Sequence, residues 1–139
     1  MDIEARPMPE LREVFLGDWE GLRTAELVER YPQAWARWTE EPSWDLVPNG
    51  ESGAVFEARV EATVDALFAR HEHHDAVVVT HGGVIQVALH QIVGRPSRGL
   101  FPFRISNASI TVISKRDGQL IIDSVNDTSH LEEPAHLGD

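Results

Sequence analysis

The sequence predicts an α/β domain in which a mixed, mostly parallel sheet is covered by helices on both faces, with an antiparallel hairpin at its C-terminal end. Three observations carry the prediction. Val77-Val78-Val79 is a run of β-branched residues, the pattern of a strand buried on both faces. It runs through Thr80-His81-Gly82-Gly83 into Val84, Ile85, Val87, Ala88, Leu89, Ile92 and Val93, which recur at helical spacing until Gly94 stops them. Further on, Ala108, Ile110 and Val112 alternate with Ser109, Thr111 and Ile113, an Asp117-Gly118 turn follows, and Leu120 to Val125 returns. The strand-turn-helix unit places His81 at the carboxyl end of a central strand, beside a helix N-terminus whose free N–H groups suit an anion.

Taken in order, residues 1–12 carry Pro7 and Pro9 and predict an extended entry, with Leu11 the first residue expected to be buried. Glu13 follows it. From there to Gly21 the chain has Gly17 and Gly21 four apart with Trp19 between them, which suits a structured loop. Thr24 is placed to cap a helix holding Ala25, Leu27, Val28 and Tyr31, which Pro32 interrupts; Ala34, Trp35 and Trp38 predict a second helical piece ending near Pro42. With the loop to Gly50 this makes a helical lid region at about 22–50, whose tryptophans suit a small core better than a platform for stacked bases. Ser52 then caps a long helix with Phe56, Val60, Val64 and Leu67 at spacings of three and four, widened by Val55 and Ala66. Gly50-Glu51-Ser52-Gly53 lacks both the five-residue elbow and the preceding strand of a serine hydrolase, so capping is the role read for Ser52. The connection Arg70-His71-Glu72-His73-His74-Asp75 reads as a solvated turn, and no metal is expected there.

The 139 residues predict one domain, long enough to bury about two-thirds of its unfolded surface. Twelve Lys and Arg against 23 Asp and Glu leave a net charge of −11, which repels nucleic acid and anionic membranes. Neither is an expected partner. There is no cysteine, which excludes disulfides, thiolate catalysis and Cys-ligated zinc together. Met1-Asp2-Ile3-Glu4 has no basic or apolar leader character, and no apolar run approaches the roughly 20 residues of a membrane span, so a cytoplasmic location is expected.

With these elements placed, the chain resembles the histidine phosphatase superfamily, the group containing cofactor-dependent phosphoglycerate mutases and many small phosphomonoester phosphatases. Leu11-Arg12-Glu13 with Gly17-Asp18-Trp19-Glu20-Gly21 resembles the family's L-x-E…G-x-W-E-G loop, and Gly50-Glu51-Ser52 followed by Arg59 its G-E-S…R helix start. Val78 to Ile85 resembles the strand carrying the family's second histidine, and Asn107-Ala108-Ser109-Ile110-Thr111 its N-x-S-x-T strand. The shared order and spacing cover essentially all of residues 6–131. The resemblance implies a truncated phosphoglycerate mutase-like three-layer sandwich acting on a small phosphate-bearing or other anionic ligand, with no cofactor. It assigns Glu13 as general acid and base and His81 as the second histidine, which holds phosphate and stabilises transition-state charge, with Gly82, Gly83 and Asn107 lining the phosphate pocket.

The family's first strand ends in an Arg-His-Gly motif whose histidine attacks phosphorus, and a second arginine helps bind phosphate. The 139 residues match neither, so the family's phosphohistidine mechanism is not available to this chain alone. A missing first strand would also leave Val77 to Val79 with unpaired N–H and C=O groups. Each such group buried costs about 1–3 kcal/mol against a domain total of about 5–15 kcal/mol. Ile3 to Pro9 folding back, a second copy or a separate polypeptide would answer this, and a homodimer covering the edge is the expectation. Three functions follow: a phosphatase-like hydrolase, a repurposed enzyme using Glu13 and His81 for other acid-base chemistry, or a non-catalytic pseudophosphatase that binds an anion. His81 serving as a substitute nucleophile is a variant of the first.

Overall fold

The computed structural model describes residues 4–95, 99–100 and 102–131. Within them the chain forms helices α1 (Thr24–Arg30), α2 (Pro32–Glu40), α3 (Gly53–Arg70) and α4 (Gly82–Val93), then strands β1 (Ile110–Arg116) and β2 (Gln119–Asp127). Single 3₁₀ turns lie at Pro9–Leu11, Gly17–Trp19, Trp44–Leu46 and Ser129–Leu131. Met1 to Ile3, which the fold-back alternative for the sheet edge invoked in part, lie outside the described residues.

The helices begin and end where local chemistry says they should, with one correction. Ser52 Oγ accepts the Val55 N–H at 3.3 Å and starts α3, while Gly94, at φ +67°, ends α4 in the left-handed conformation that glycine adopts without steric cost. Thr24 is the first helical residue of α1 and not its cap. That position belongs to Arg23, whose N–H is accepted by Glu26 Oε2 at 3.0 Å, so the first turn is closed by the acidic residue three positions on. Pro32 begins α2 immediately after α1, as a proline can only at a helix's first turn.

The sheet differs from the expectation. Among the described residues it has two strands, β1 and β2, paired antiparallel, and no parallel pairing is formed. The hairpin turns through Asp117 and Gly118 with φ +49° and +80°, the positive pair that a two-residue hairpin turn requires. β1 begins two residues later than its alternating pattern, because Ala108 adopts φ +57° in a turn. Val77, Val78 and Val79 form no strand, and Val77 and Val79 are 92% and 95% exposed. A pattern of burial on both faces needs neighbours on both sides, and the described residues supply none.

Two apolar clusters hold the molecule together. In the larger, Phe56, Val60 and Val64 of α3 meet Val84, Val87 and Ala88 of α4, with Leu11, Val14 and Trp44 closing one end and Ile113 packing from the hairpin. In the smaller, Trp19, Leu27 and Val47 are surrounded by Leu22, Tyr31, Ala34, Trp35 and Trp38. An aromatic chain joins the two: Trp35 and Trp38 meet Trp19 at centroid separations of 5.9 and 5.7 Å, Trp38 meets Trp44 at 5.2 Å, and Trp44 meets Phe56 at 5.7 Å. The tryptophans of residues 22–50 are therefore packing groups, and they fasten that region onto α3.

Candidate functional site

The site forms where the loop after Leu11 meets the first turn of α4. Glu13 is half-buried, and its carboxylate takes two backbone donors: Val14 N–H to Oε1 at 3.0 Å and Gly83 N–H to Oε2 at 3.1 Å. Gly83 therefore spends a helix N-terminal donor on the acid, where the macrodipole favours negative charge. A Cβ at position 83 would overlap Glu13 Oε1, so glycine lets the carboxylate come this close and a larger residue would make it shift. Each carboxyl oxygen keeps a second lone pair, which is where a transferable proton can sit.

His81 stands at the N-cap of α4 with an extended backbone (φ −115°, ψ +164°), its carbonyl accepting the Ile85 N–H at 3.1 Å and its side chain exposed. Because it precedes Gly82 and Gly83, it is held within two residues of the Glu13 contact. Thr80, one residue earlier, donates its hydroxyl to the Leu11 carbonyl at 2.7 Å, which ties the approach to His81 to the approach to Glu13. Ile105 Cβ comes within 4.0 Å of where a Cβ on Gly82 would lie, bringing the segment before β1 to the same helix end. Asn107 is exposed in the turn that follows, closed by the Ser109 N–H on the Ser106 carbonyl at 3.1 Å. Among the described residues no hydrogen bond joins Asn107 to Glu13, His81, Gly82 or Gly83. The structure thus unites Glu13 with Gly83 directly, adds His81 and Gly82 through the chain, and shows no contact that brings Asn107 to them.

Sequence reasoning left two supporting groups without a role. Arg59 of α3 and Glu51 form a half-buried ion pair, Nε to Oε1 at 2.7 Å and Nη2 to Oε2 at 2.8 Å, with side chains 14% and 9% exposed. The same guanidinium donates to the carbonyls of Glu10 at 2.6 Å, Arg12 at 2.9 Å and Glu13 at 3.1 Å. Glu51 in turn accepts the Phe15 N–H at 3.3 Å and donates its own backbone N–H to the Phe15 carbonyl at 2.8 Å. The Arg59 hydrogen bond holds the Glu51 carboxyl below its ordinary range, helped by the Phe15 N–H and opposed by burial. Both residues stood in the G-E-S…R resemblance, but spacing alone does not reveal which carbonyls an arginine reaches. Gln86, buried on α4, was invisible in the same way: its amide donates to the carbonyls of Leu100, at 3.0 Å, and Phe103, fixing the loop between α4 and β1.

No group of three His, Asp or Glu side chains able to hold a metal ion occurs among the described residues, the 71–75 connection included. No helix among them is long and apolar enough to cross a membrane.

The histidine phosphatase superfamily (branch 1) matches residues 1–128, and the chain belongs to that family. It is 32% identical over 137 residues to the metal-independent phosphoserine phosphatase of Arabidopsis thaliana, an alignment covering 96% of this chain and 55% of the relative. It is 27% identical to the adenosylcobalamin/alpha-ribazole phosphatase of Escherichia coli (strain K12), covering 76% of this chain and 52% of the relative. The solved structure of Bacillus stearothermophilus YhfR superposes with a TM-score of 0.77 at 29% identity, covering 88% of this chain and 61% of that one. The chain thus has the phosphoglycerate mutase-like fold over its matched part and spans little more than half the length of these curated relatives.

Proposed function

We propose that this chain carries the proton-transfer and phosphate-holding half of a phosphatase site for a small phosphomonoester. The observation that carries the reading is the Glu13 carboxyl seated on the Gly83 N–H beside His81. In the first step a nucleophile bonds to phosphorus, the bond from phosphorus to the ester oxygen breaks, and Glu13 gives its proton to that oxygen. In the second, Glu13 takes a proton from water, the water oxygen bonds to phosphorus, and the nucleophile leaves. His81 and the Gly82 N–H take the phosphoryl oxygens, and Asn107 closes the pocket. Since Gly83 donates to Glu13, its share in the pocket is to hold the acid.

No Arg-His-Gly occurs in the 139 residues, so the nucleophile of these two steps is His81 or a histidine supplied from outside them. The names of the relatives support phosphoserine or a ribazole phosphate as substrate classes to try first. The remaining strands of a mixed, mostly parallel sheet, with helices on both faces, belong to the same proposal: they would flank Val77 to Val79, and a second copy pairing along that segment is the cover we infer. The exposure of Val77 and Val79 supports this. The braced Glu13 also favours a second reading, acid-base chemistry on a substrate without phosphate, because the proton-transfer group is complete where the nucleophile is not.

Hydrolysis of 4-nitrophenyl phosphate by the 139-residue chain, with Glu13→Ala and His81→Ala in parallel, tests the proposal. Turnover that both substitutions lower by about 10²–10⁴-fold supports it. A folded chain that hydrolyses nothing, and whose His81 and Gly82 resonances do not respond to inorganic phosphate, overturns it and leaves the second reading.

A further inference from the structure

Arg59 uses every donor it has. A guanidinium carries five N–H groups in a rigid fork. Here Nε goes to Glu51, the two hydrogens of Nη1 match the carbonyls of Glu10 and Arg12, and the two of Nη2 match Glu51 and the carbonyl of Glu13. Its face lies over the Phe56 ring at 4.8 Å, inside the main core. Three of the five bonds thus go to carbonyls within a four-residue stretch ending at Glu13, and Glu51 extends the same brace to Phe15 on the far side.

We propose that Arg59, with Glu51, is a positioning residue for Glu13: it acts through the main chain on both sides of the acid and sets the carboxyl on the Gly83 N–H. The inference rests on the reading of Glu13 as the acid. A surface ion pair would contribute little to such precision, but this pair is half-buried and each partner is held by further bonds. Without it, the carbonyls of Glu10, Arg12 and Glu13 lose their shared donor. The loop then loses the constraint that aims the carboxyl, although the apolar contacts of Leu11 and Val14 remain.

The test is made independent of turnover. In the folded chain the Gly83 amide proton should shift with pH as Glu13 titrates, and Glu13→Gln should abolish that shift, which assigns it. Arg59→Met alone leaves Glu51 half-buried without its partner, so the deciding variant is Arg59→Met with Glu51→Leu, which removes both charges together. Arg59→Lys serves as a second variant that keeps the charge without the fork. In each variant that remains cooperatively folded, the Gly83 amide is expected to lose its titration. Where wild type turns over 4-nitrophenyl phosphate, the rate constant at saturation should fall about 10²-fold, the cost of misplacing a reacting group by about 1 Å, with KM little changed. A Gly83 amide that titrates as in wild type in either folded variant overturns the proposal, whatever the chain does to phosphate esters.

Discussion

Two segments lead into the candidate site, and they are held in opposite ways. Glu10 to Phe15 is fastened on every side: Arg59 takes three of its carbonyls, Glu51 pairs with Phe15 in both directions, and Leu11 and Val14 are buried in the main core. Val77 to Val79 has no strand partner among the described residues and exposes its apolar side chains. Each leads to a residue assigned to chemistry: the first holds Glu13, and the second runs through Thr80 into His81. The contrast shows that the acid is aimed by contacts within this chain, whereas the histidine is anchored from one side, by α4 and by the Thr80 hydroxyl.

The largest effect expected is on the braced side. Arg59→Met should destabilise the fold by about 1–3 kcal/mol, because it leaves the half-buried Glu51 carboxylate and three backbone carbonyls without their shared donor, and urea unfolding would measure it. An Arg59→Met protein as stable as wild type would mean that the brace is not what holds Glu10 to Phe15.

Acid probes the same brace. Glu51 titrates below its ordinary range when folded, so its contribution is complete above the unfolded carboxyl value and is lost as pH falls through the lowered folded value. Stability followed by urea from neutral pH into the acid range should decline on that limb, and Glu51→Gln should flatten the decline. An equally steep decline in Glu51→Gln would assign the acid sensitivity to other carboxyls.

Between the two segments stands one hydroxyl. Thr80→Val removes the bond to the Leu11 carbonyl and should cost about 1 kcal/mol, read from the same denaturant curves. The smallest effect on the folded single chain belongs to the bare side. Val77→Lys with Val79→Lys should change its stability by no more than about 0.5 kcal/mol, since both side chains already face solvent. If a second copy covers this segment, sedimentation should instead show the lysine variant shifted from dimer to monomer. A wild-type chain that sediments as a monomer at all concentrations removes the homodimer.

Much of this was legible residue by residue wherever the cause is local. Ser52 and Gly94 bound their helices because capping needs only a side-chain oxygen or a permissive backbone at one position. Asp117-Gly118 turned the chain because both residues tolerate positive φ. Thr24 misled for a related reason: a β-hydroxyl suits a cap, but the reciprocal bond from Glu26 moved the boundary to Arg23. Glu13, His81, Gly82 and Gly83 were legible as a set through their motifs, and Gly83 acquired its meaning only from the closeness of the Glu13 carboxyl.

Local pattern, then, specified the helices and the hairpin, because capping, periodicity and turn chemistry act over a few residues, while the resemblance of separated motifs pointed to the family and to Glu13 and His81 as candidates. Three-dimensional packing settled the rest. Arg59 could reach Glu10, 49 residues away along the chain, only after α3 had packed against the Pro9–Leu11 turn, and the valines at 77–79 could be buried only if some neighbour lay beside them. Hydrophobic spacing records the wish for a neighbour; it contains no information about which segment, or which molecule, provides it.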